Sequence, residues 1–348
     1  MKFFKPLAIA AAAACVAAPA MADSKAVEIY GVAAFGLMST EGSNGDRTNE
    51  VLNESRIGFR GSKALPKFGD TKFIWQIESG FMGPNGLSGA TYESGTLGTR
   101  DTFGGVQGNF GTVRIGRLLT PFGETLDWPY TNGGVGPIME ATNVPGGGSY
   151  VRESDQLRWD SVTTGPLTAS ISAGRGTRSP STGNGFVNKD STSVSAVAHY
   201  AVGGGALHLG YERNSNRDTT GSLNTNWLLG MQTPSFGGVS AYGAYTKGTA
   251  STNATIGNYP AGEYSRGAYQ LAVQYDAGDF VAKITHAKNL DLSGPVIDNG
   301  GNMTAAQILF NIDPSLITYA RYVTATDPNT TAGWWNKSRV LLGMEYYF

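Results

Sequence analysis

The sequence has few cysteines, few histidines, few charges and no long apolar run, and each shortage excludes a class of protein. Its single cysteine, Cys15, lies in a segment that we expect to be removed, so the mature chain would have no disulfide or thiol chemistry. Charged residues make up 15% of the chain, and 26 basic residues balance 27 acidic ones, which argues against nucleic acid as a partner. Outside the N-terminus no apolar run reaches the roughly 18 residues of a membrane-spanning helix, which excludes a helical membrane protein.

The three histidines are not part of a recognisable catalytic motif. They are not surrounded by a nucleophile elbow, a metal-binding pattern or a phosphate loop. The sequence therefore predicts no enzyme, no metal and no cofactor. His199 and His208 flank the turn AVGGGA almost symmetrically and are candidates for cross-strand neighbours, which would suit a metal ion. Because the sequence offers no nearby third ligand, two ordinary wall histidines are the preferred interpretation.

The first 22 residues have the features of a cleaved signal peptide. Lys2 and Lys5 form a positive start, residues 7–16 form an apolar stretch too short to span a bilayer, and Ala20-Met21-Ala22 offers the small residues that signal peptidase accepts. The short stretch disfavours a membrane anchor. We therefore predict export and a mature domain of residues 23–348.

In one segment of the mature chain after another, apolar residues recur at every second position. In VEIYGVAAFGL, Val27, Ile29 and Phe35 lie on one face and Glu28 and Tyr30 on the other. The same alternation is present in SRIGFRGS, KFIWQIESGF, GTVRIG, DQLRWDS, PLTASISA, ALHLGYE, AYQLAVQYD, FVAKITH, AQILFN and LITYARYV. A period of two indicates strands with two unlike faces, and roughly sixteen such segments lie within the range of single-chain outer-membrane barrels. The 49 glycines and 11% aromatic residues are typical of a β-rich chain with many turns.

The connections between these segments alternate in length. Short turns such as KALPKFGD, GNFG, TTGP, AVGGGA and DAGD alternate with long polar loops, which we expect at residues 41–53, 83–98, 176–190 and 288–302. An outer-membrane barrel has short periplasmic turns and long external loops. Aromatic residues beside the short turns predict an interfacial girdle, and they are Phe68, Phe110, Tyr200, Phe236, Tyr275, Phe280 and Phe348.

The last strand predicts how the barrel closes. Alternate residues from Val340 to Phe348 are apolar, whereas Arg339, Glu345 and Tyr347 lie on the other face. An open strand edge within hydrocarbon is too costly, so the last strand must pair with the first. The apolar C-terminus is then a membrane-facing seam.

Several motifs give the chain a family resemblance. RIGFRGSKAL, TFGGVQGNFGTVRIGR, LLTPFGE, the opening VEIYG and the terminal YYF resemble the general porins of Gram-negative bacteria, most of all those of the Neisseria and Burkholderia lineage, over the whole mature chain. The resemblance implies an all-β fold, a transmembrane antiparallel β-barrel of about 16 strands, with a third extracellular loop folded inward. The implied function is passive diffusion of small hydrophilic solutes and ions through a water-filled channel in the outer membrane.

The resemblance also implies partners. Porins of this kind are homotrimers in outer-membrane lipid and lipopolysaccharide, inserted by the barrel-assembly machinery through a C-terminal aromatic signal, here Tyr346 and Phe348. We expect the trimer contact on a flat apolar wall formed by the last strand and by Gly31, Ala33 and Gly36 of the first strand.

The longest stretch without strand character runs from residue 118 to 150. It exceeds the roughly 12 to 15 residues expected of a loop without a role, and it follows the fifth predicted strand, where the resemblance places the inward loop. It contains Glu124, Asp127 and Glu140, which the resemblance assigns to the constriction. Its apolar residues favour packing inside the barrel over an ordinary surface loop, and they are Leu126, Trp128, Val135, Ile138 and Met139.

A basic ladder is predicted on the opposite wall. Strand parity places Arg56, Arg60, Arg114 and Arg158 toward the lumen, because a charge facing lipid at mid-membrane costs about 2 to 4 kcal/mol. Arg100 joins them through the resemblance. The alternative for any one of them is a solvated wall charge or an ion-pair partner of an acid such as Glu78 or Asp160. Three further basic residues are expected to be general wall charge, namely Lys283, Arg321 and Arg339.

Other functions stay open at this point. A substrate-specific channel would use lumen tyrosines, for which Tyr30, Tyr242 and Tyr319 are candidates. An outer-membrane barrel can also be a hydrolase, since the fold alone does not define the function. The long outer loops would suit adhesion.

Overall fold

Seventeen strands form one closed antiparallel sheet in the computed structural model, which describes residues 27–80, 97–131, 134–139, 144, 152–175, 191–216, 222–255, 259–296, 300–326 and 337–348. The strands are β1 (Glu28–Glu41), β2 (Arg47–Asn53), β3 (Arg56–Ala64), β4 (Lys72–Gly80), β5 (Thr102–Gly108), β6 (Gly111–Leu119), β7 (Arg152–Asp160), β8 (Leu167–Gly174), β9 (Thr192–Val202), β10 (Gly205–Ser215), β11 (Leu223–Gln232), β12 (Val239–Thr252), β13 (Gly262–Asp276), β14 (Phe280–Asn289), β15 (Asn302–Asp313), β16 (Leu316–Thr326) and β17 (Ser338–Tyr347). The predicted signal peptide lies outside the described residues.

β2 and β3 are two parts of one interrupted strand of the wall. Counted as one, they give the barrel sixteen strands. β2 pairs with residues 35–41 of β1, and β3 pairs with residues 28–32. Between them, the Glu54 N–H donates to the Ala34 carbonyl oxygen (3.0 Å) and the Ala34 N–H donates to Ser55 Oγ (3.0 Å), which keeps the pairing continuous. The predicted barrel and its strand number are confirmed.

The first predicted loop is wrong in extent. Most of residues 41–53 belong to β1 and β2, and only residues 42–46 connect them. The sequence hides this hairpin because residues 39–50 include no apolar side chain on either face, while the backbone hydrogen bonds that build it do not depend on side-chain polarity.

The two faces of the wall differ as the alternation predicts. Large apolar side chains point outward and are exposed, among them Ile29, Phe35, Leu37, Ile115, Leu157, Ile171, Leu209, Leu229, Leu271, Val273, Ile284, Val340, Leu342 and Met344. Alternate residues point inward, where polar side chains such as Glu212, Asn226, Thr246 and Gln270 are buried. An apolar outside and a polar inside are the marks of a barrel that meets lipid and encloses water.

The two ends of the barrel also differ. At one end, which we call the turn end, the connections are residues 65–71, 109–110, 161–166, 203–204, 233–238, 277–279 and 314–315. Longer connections occupy most of the other end, the loop end. All seven aromatic residues of the predicted girdle are exposed at the turn end, which fits rings placed between lipid and water. Among the described residues, none of the helices has the length and apolarity needed to cross a membrane.

The seam of the barrel joins β1 to β17 as predicted. The Gly31 N–H donates to the Phe348 carbonyl oxygen (2.9 Å), and the Phe348 N–H donates to the Gly31 carbonyl oxygen (3.2 Å). Gly31 is needed there because a Cβ atom would collide with the Phe348 ring. The placement of Gly36 on the outer wall is wrong: it alternates with the exposed Phe35 and Leu37, so it faces the lumen.

The interior is filled on one side by the described residues of the third loop, which we define as residues 120–151. It contains the helices α1 (Pro121–Thr125) and α2 (Gly136–Met139) and, between them, a helical turn Leu126–Thr131. Leu118 and Leu119, predicted as loop, belong to β6 because their backbone continues to pair with β7 after a bulge at residues 116–118. Because of the bulge, the alternation of inward and outward side chains in β6 does not continue to the end of the strand.

Candidate pore constriction

The third loop begins with a capped helix that is fixed to the inner wall. Thr120 caps α1 by accepting a hydrogen bond from the Gly123 N–H (3.1 Å), and Pro121 occupies the first turn, where a missing N–H costs nothing. The Thr120 hydroxyl donates to Glu212 Oε2 (2.7 Å), and the Phe122 N–H donates to Ser195 Oγ (3.0 Å). Because Ser195 and Glu212 lie on β9 and β10, the loop turns inward as soon as it leaves β6.

Apolar side chains of the loop pack on the inner wall of the barrel. Six of them are fully buried, namely Phe122, Leu126, Tyr130, Val135, Ile138 and Met139. They form one cluster with wall residues that are mostly small, including Ala244, Ala268, Ala272, Ala287 and Ala305. The predicted inward packing is therefore confirmed by the geometry.

Two glycines of the wall provide the space that the aromatic side chains of the loop occupy. A Cβ atom at Gly210 would lie 3.0 Å from Phe122 Cδ2, and a Cβ atom at Gly230 would collide with the Tyr130 ring and hydroxyl. A larger residue at either position would push the loop away from the wall.

The described part of the loop covers one half of the inner wall. It packs against β8, β9 and β10 through α1, and against β12, β13 and β14 through the residues that follow. Gly134 extends the contact to Arg321 and Val323 of β16. The remaining half, from β1 to β7, carries the five predicted ladder arginines.

Arg158 and Arg114 are directly opposite each other on β7 and β6, with one acid between them. Arg114 Nη2 donates to Asp160 Oδ2 (2.6 Å), and Arg158 Nε donates to Asp160 Oδ1 (2.8 Å). Arg158 also contacts Glu124 of the loop (2.5 Å) and donates to the Leu119 carbonyl oxygen (3.0 Å). Arg158 therefore holds the start of the loop as well as contributing charge, whereas Arg114 is joined to it through Asp160.

Arg60 and Arg100 are paired with wall acids. Arg60 makes a two-pronged contact with Glu28 (3.0 and 3.2 Å), and Arg100 Nε donates to Glu78 Oε1 (2.5 Å). Tyr30 links the two pairs, because its hydroxyl donates to Glu78 Oε2 (2.9 Å) and its ring lies under the Arg60 guanidinium at 4.6 Å. Both arginines are thus ion-pair partners of wall acids, which was the alternative to a constriction role. Arg100 reaches Glu78 from the segment before β5.

Arg56 differs from the other four arginines. Its backbone is opposite Val32 of β1, and among the described residues its side chain has no hydrogen bond or ion pair. An unneutralised guanidinium on the inner wall acts on passing ions more strongly than a paired one.

The three predicted acids of the loop have different positions. Glu124 contacts Arg158 and is 43% exposed, so the pair is accessible from the lumen. Asp127 is half-buried in the helical turn, where its carbonyl oxygen accepts from the Thr131 hydroxyl (3.4 Å). Glu140 lies outside the described residues.

Sequence reasoning missed some of the contacts that fix the loop. Lys283 of β14, predicted as general wall charge, donates to the Pro129 carbonyl oxygen (3.2 Å) and lies over the Tyr242 ring at 5.1 Å. Strand parity alone gives its inward direction, but nothing in the sequence shows that Pro129 would come within reach of it.

A further ion pair lies beside the ladder arginines at the loop end of the barrel. Arg152 Nε donates to Asp101 Oδ1 (2.7 Å) between the start of β7 and the segment before β5. Burial alone would raise the pKa of the Asp101 carboxyl, but the charges of Arg152, Arg100 and Arg114 outweigh burial and lower it. Asp101 is therefore a carboxylate at neutral pH and offsets part of the basic charge.

His199 and His208 are cross-strand neighbours, as their positions suggested. They are directly opposite on β9 and β10, and their Nδ1 atoms are 2.7 Å apart. Tyr130 meets His208 edge to face at 5.8 Å, which places the pair beside the loop. Among the described residues, no three histidine, cysteine, aspartate or glutamate side chains are grouped as a metal site would need.

Comparison with known proteins gives consistent matches. The family model described as Gram-negative porin matches residues 8–232. The chitoporin of Vibrio furnissii is 29% identical over an alignment that covers all of both chains. An anion-selective porin from Comamonas acidovorans has a similar structure (TM-score 0.73, 17% identity, 94% of this chain and 100% of that chain). So does OmpT of Vibrio cholerae in its trimer form (TM-score 0.67, 16% identity, 92% and 99%).

Proposed function

The chain belongs to the Gram-negative porin family and is an outer-membrane channel for passive diffusion of small solutes, and we propose that it selects them by size and charge where the third loop narrows the lumen. The observation that supports this proposal is the attachment of the loop inside the barrel. Phe122 and Tyr130 fit against the wall on one side, while Glu124 pairs with Arg158 at the edge of the arginine-bearing half.

Size selection follows from the volume that the loop occupies. Its buried side chains fill the space beside β8 to β14, so a solute must pass along the side formed by β1 to β7. Shortening the loop between Gly123 and Gly136 should raise the single-channel conductance and admit larger sugars. A shortened channel with the same conductance and size limit would contradict the proposal.

Charge selection follows from the groups left along this path. Opposed charges in a narrow pore act strongly within a Debye length of about 8 Å at physiological salt. Most ladder arginines are partly neutralised by Glu28, Glu78 or Asp160, so Arg56 is the ladder member with the largest expected influence on ions.

A reversal-potential measurement on Arg56→Gln tests charge selection. In a KCl gradient at low salt, this variant should be more cation-selective than the wild type, and the difference should shrink at high salt because screening weakens the field. Arg213→Gln is the matched control, since Arg213 is exposed on the outward face of β10. An unchanged reversal potential in Arg56→Gln would show that Arg56 does not line the conducting path.

A substrate-specific channel is the second candidate, because the relative at 29% identity is named a chitoporin. Lumen tyrosines are available: Tyr30 and Tyr319 lie on the inner wall, each close to an arginine (4.6 and 5.8 Å). Tyr242 is less available because the loop covers it. Flux of chitooligosaccharides into liposomes that saturates, at concentrations where other oligosaccharides of equal size do not, would favour the specific channel. Linear flux that falls with size would favour the general pore.

The assembled protein is proposed to be a homotrimer in outer-membrane lipid and lipopolysaccharide. The exposed apolar residues of β1 and β17 form a continuous outer wall at the seam, with the rings of Tyr346 and Phe348 stacked at 6.2 Å. We propose this wall as the subunit contact and these two residues as the signal for the barrel-assembly machinery, after removal of residues 1–22. A monomer in native mass spectrometry from mild detergent would contradict the trimer.

We propose that transport involves no chemical step and no cofactor. Incubating the purified channel with phospholipid and peptide substrates would test this proposal. Turnover that disappears in a His199→Gln variant would overturn it.

A further inference from the structure

His199 and His208 are positioned as a chelating pair. Their backbones are directly opposite, their ring centroids are 4.9 Å apart, and their planes are inclined by 76°. The Nδ1 atoms are 2.7 Å apart, so one ring donates its N–H to the lone pair of the other. A cation that displaces the shared proton can bind both nitrogens once the rings turn so that the two lone pairs meet at one point.

The separation is close to the one that a metal ion requires. With metal–nitrogen bonds of about 2.0 to 2.1 Å, two neighbouring ligands at a right angle have nitrogens about 2.9 Å apart. The two nitrogens therefore need to separate by only a few tenths of an ångström, and each ring must turn so that its lone pair points at the ion rather than at the other nitrogen. The strand pairing holds both backbones in place while this happens, so little ordering is needed on binding.

The surroundings contribute charge and access. Glu124 is close enough to His199 to interact with it electrostatically, and its carboxylate favours a cation at the pair. Arg158 opposes a cation, but Glu124 and Asp160 both pair with it. Both histidines lie on the inner wall and are partly exposed, so part of each side chain faces the lumen.

We propose that His199 and His208 bind one divalent transition-metal ion beside the pore constriction, with water in the remaining positions. Imidazole nitrogen suits Cu²⁺, Ni²⁺ and Zn²⁺ rather than Mg²⁺ or Ca²⁺, which take oxygen ligands. Cu²⁺ should bind most tightly, following the usual order of divalent metals, and its tetragonal geometry accepts two neighbouring imidazoles. Because two side chains alone hold the ion, the site should exchange its metal rather than serve as a structural zinc site.

Binding would change the current through the channel, and this consequence rests on the proposed function. A cation beside Glu124 and the third loop adds positive charge where the lumen is narrow. Cation current should fall and selectivity should move toward anions while Cu²⁺ is present, and a chelator should reverse both effects.

The test begins with Cu²⁺ binding to the purified full-length chain in detergent. Titration followed by electron paramagnetic resonance should show one site with two nitrogen ligands. His199→Gln and His208→Gln keep similar side-chain volumes, and each should weaken binding on the order of 10- to 100-fold or more, since losing even an outer-shell partner has effects of that size. His286→Gln is the matched control, because His286 lies on the outward face opposite Leu271, with Nδ1 2.9 Å from Thr304 Oγ1.

Bilayer recordings with and without Cu²⁺ provide the second measurement. The wild type and His286→Gln should lose cation current, whereas the two pair variants should not. If the wild type conducts but binds no Cu²⁺ with two nitrogens, or if His286→Gln alone abolishes binding, the inference is overturned while the proposed channel function stands. Binding without channels would instead contradict the proposed function.

Discussion

Glu124 of the third loop and Arg158 of β7 form an ion pair, with Oε2 and Nη2 2.5 Å apart. Arg158 is almost fully buried, whereas Glu124 remains open to the lumen. Arg158 also binds Asp160 of β7 and the Leu119 carbonyl oxygen at the end of β6. It therefore connects the start of the loop to both of these strands. The charge at the proposed constriction and the position of the loop are therefore linked through the Arg158 guanidinium.

Replacing Glu124 should change selectivity more than architecture. In Glu124→Gln, Arg158 keeps Asp160 and Leu119, so the loop should stay inside while one negative charge is lost. We expect a reversal potential shifted toward anions at low salt. Glu263→Gln serves as the control, because Glu263 is exposed on β13 at the loop end. Equal shifts in both variants would mean that Glu124 acts only through the overall charge.

Replacing Phe122 should loosen the loop. Its ring is fully buried against Gly210 and Leu228, and removing a buried phenylalanine ring typically costs about 3 to 5 kcal/mol. Because the wall hydrogen bonds are unaffected, we expect Phe122→Ala to raise single-channel conductance and current noise while the barrel stays folded. Phe68→Ala, at an exposed turn, should leave the current unchanged. If the conductance and current noise of Phe122→Ala equal those of the wild type, this role of Phe122 is contradicted.

Filling the space at Gly230 should narrow the pore. A Cβ atom there collides with Tyr130, and such overpacking typically costs about 1 to 3 kcal/mol, so the loop should move away from the wall. We expect Gly230→Ala to lower conductance and the size limit for sugars in liposome swelling. Gly243→Ala is the control, because its Cβ atom would meet only flexible Leu271 at 3.3 Å and the Gln270 carbonyl oxygen at 3.8 Å. Higher conductance in Gly230→Ala would indicate that the loop detaches instead.

Deleting Phe348 should impair assembly. The deletion removes both hydrogen bonds to Gly31 and the ring that packs on it. We expect much less heat-resistant oligomer in outer membranes, measured by gel mobility without boiling. Tyr347→Phe, which alters a lumen-facing hydroxyl paired with Glu345, should assemble normally. If the deletion variant forms as much oligomer as the wild type, Phe348 is not part of the assembly signal.

Strand alternation was enough to predict the barrel, because in a wall between lipid and water the period of two is imposed on nearly every residue. It placed Arg114 and Arg158 inside correctly. It failed where this constraint is absent: the hairpin of β1 and β2 has no apolar side chain from Ser39 to Glu50, and the bulge beside Gly116 shifts the alternation of side chains.

Glu78 and Asp160 could be named from the sequence as possible ion-pair partners, but the partners that the third loop contributes could not be predicted in the same way. Arg158 meets Glu124, and Lys283 meets Pro129, only because the loop packs on strands that come much later in the chain. The space for Phe122 and Tyr130 is provided by Gly210 and Gly230, whose fit to the loop appears only in three dimensions. The direction of a side chain is a local property, whereas its partner depends on the whole closed sheet.

The pairing of Gly31 with Phe348 has a consequence for the order of biogenesis. The ring of strands closes only when β17 pairs with β1, so the closed state is inaccessible to any partial chain that lacks β17. Until β17 has been made and has paired, β1 and the most recently made strand are both unpaired edges that invite pairing with other chains. The protein must therefore be kept apart from its neighbours for the whole of its synthesis and export, and this protection can end only when the two ends of the chain meet.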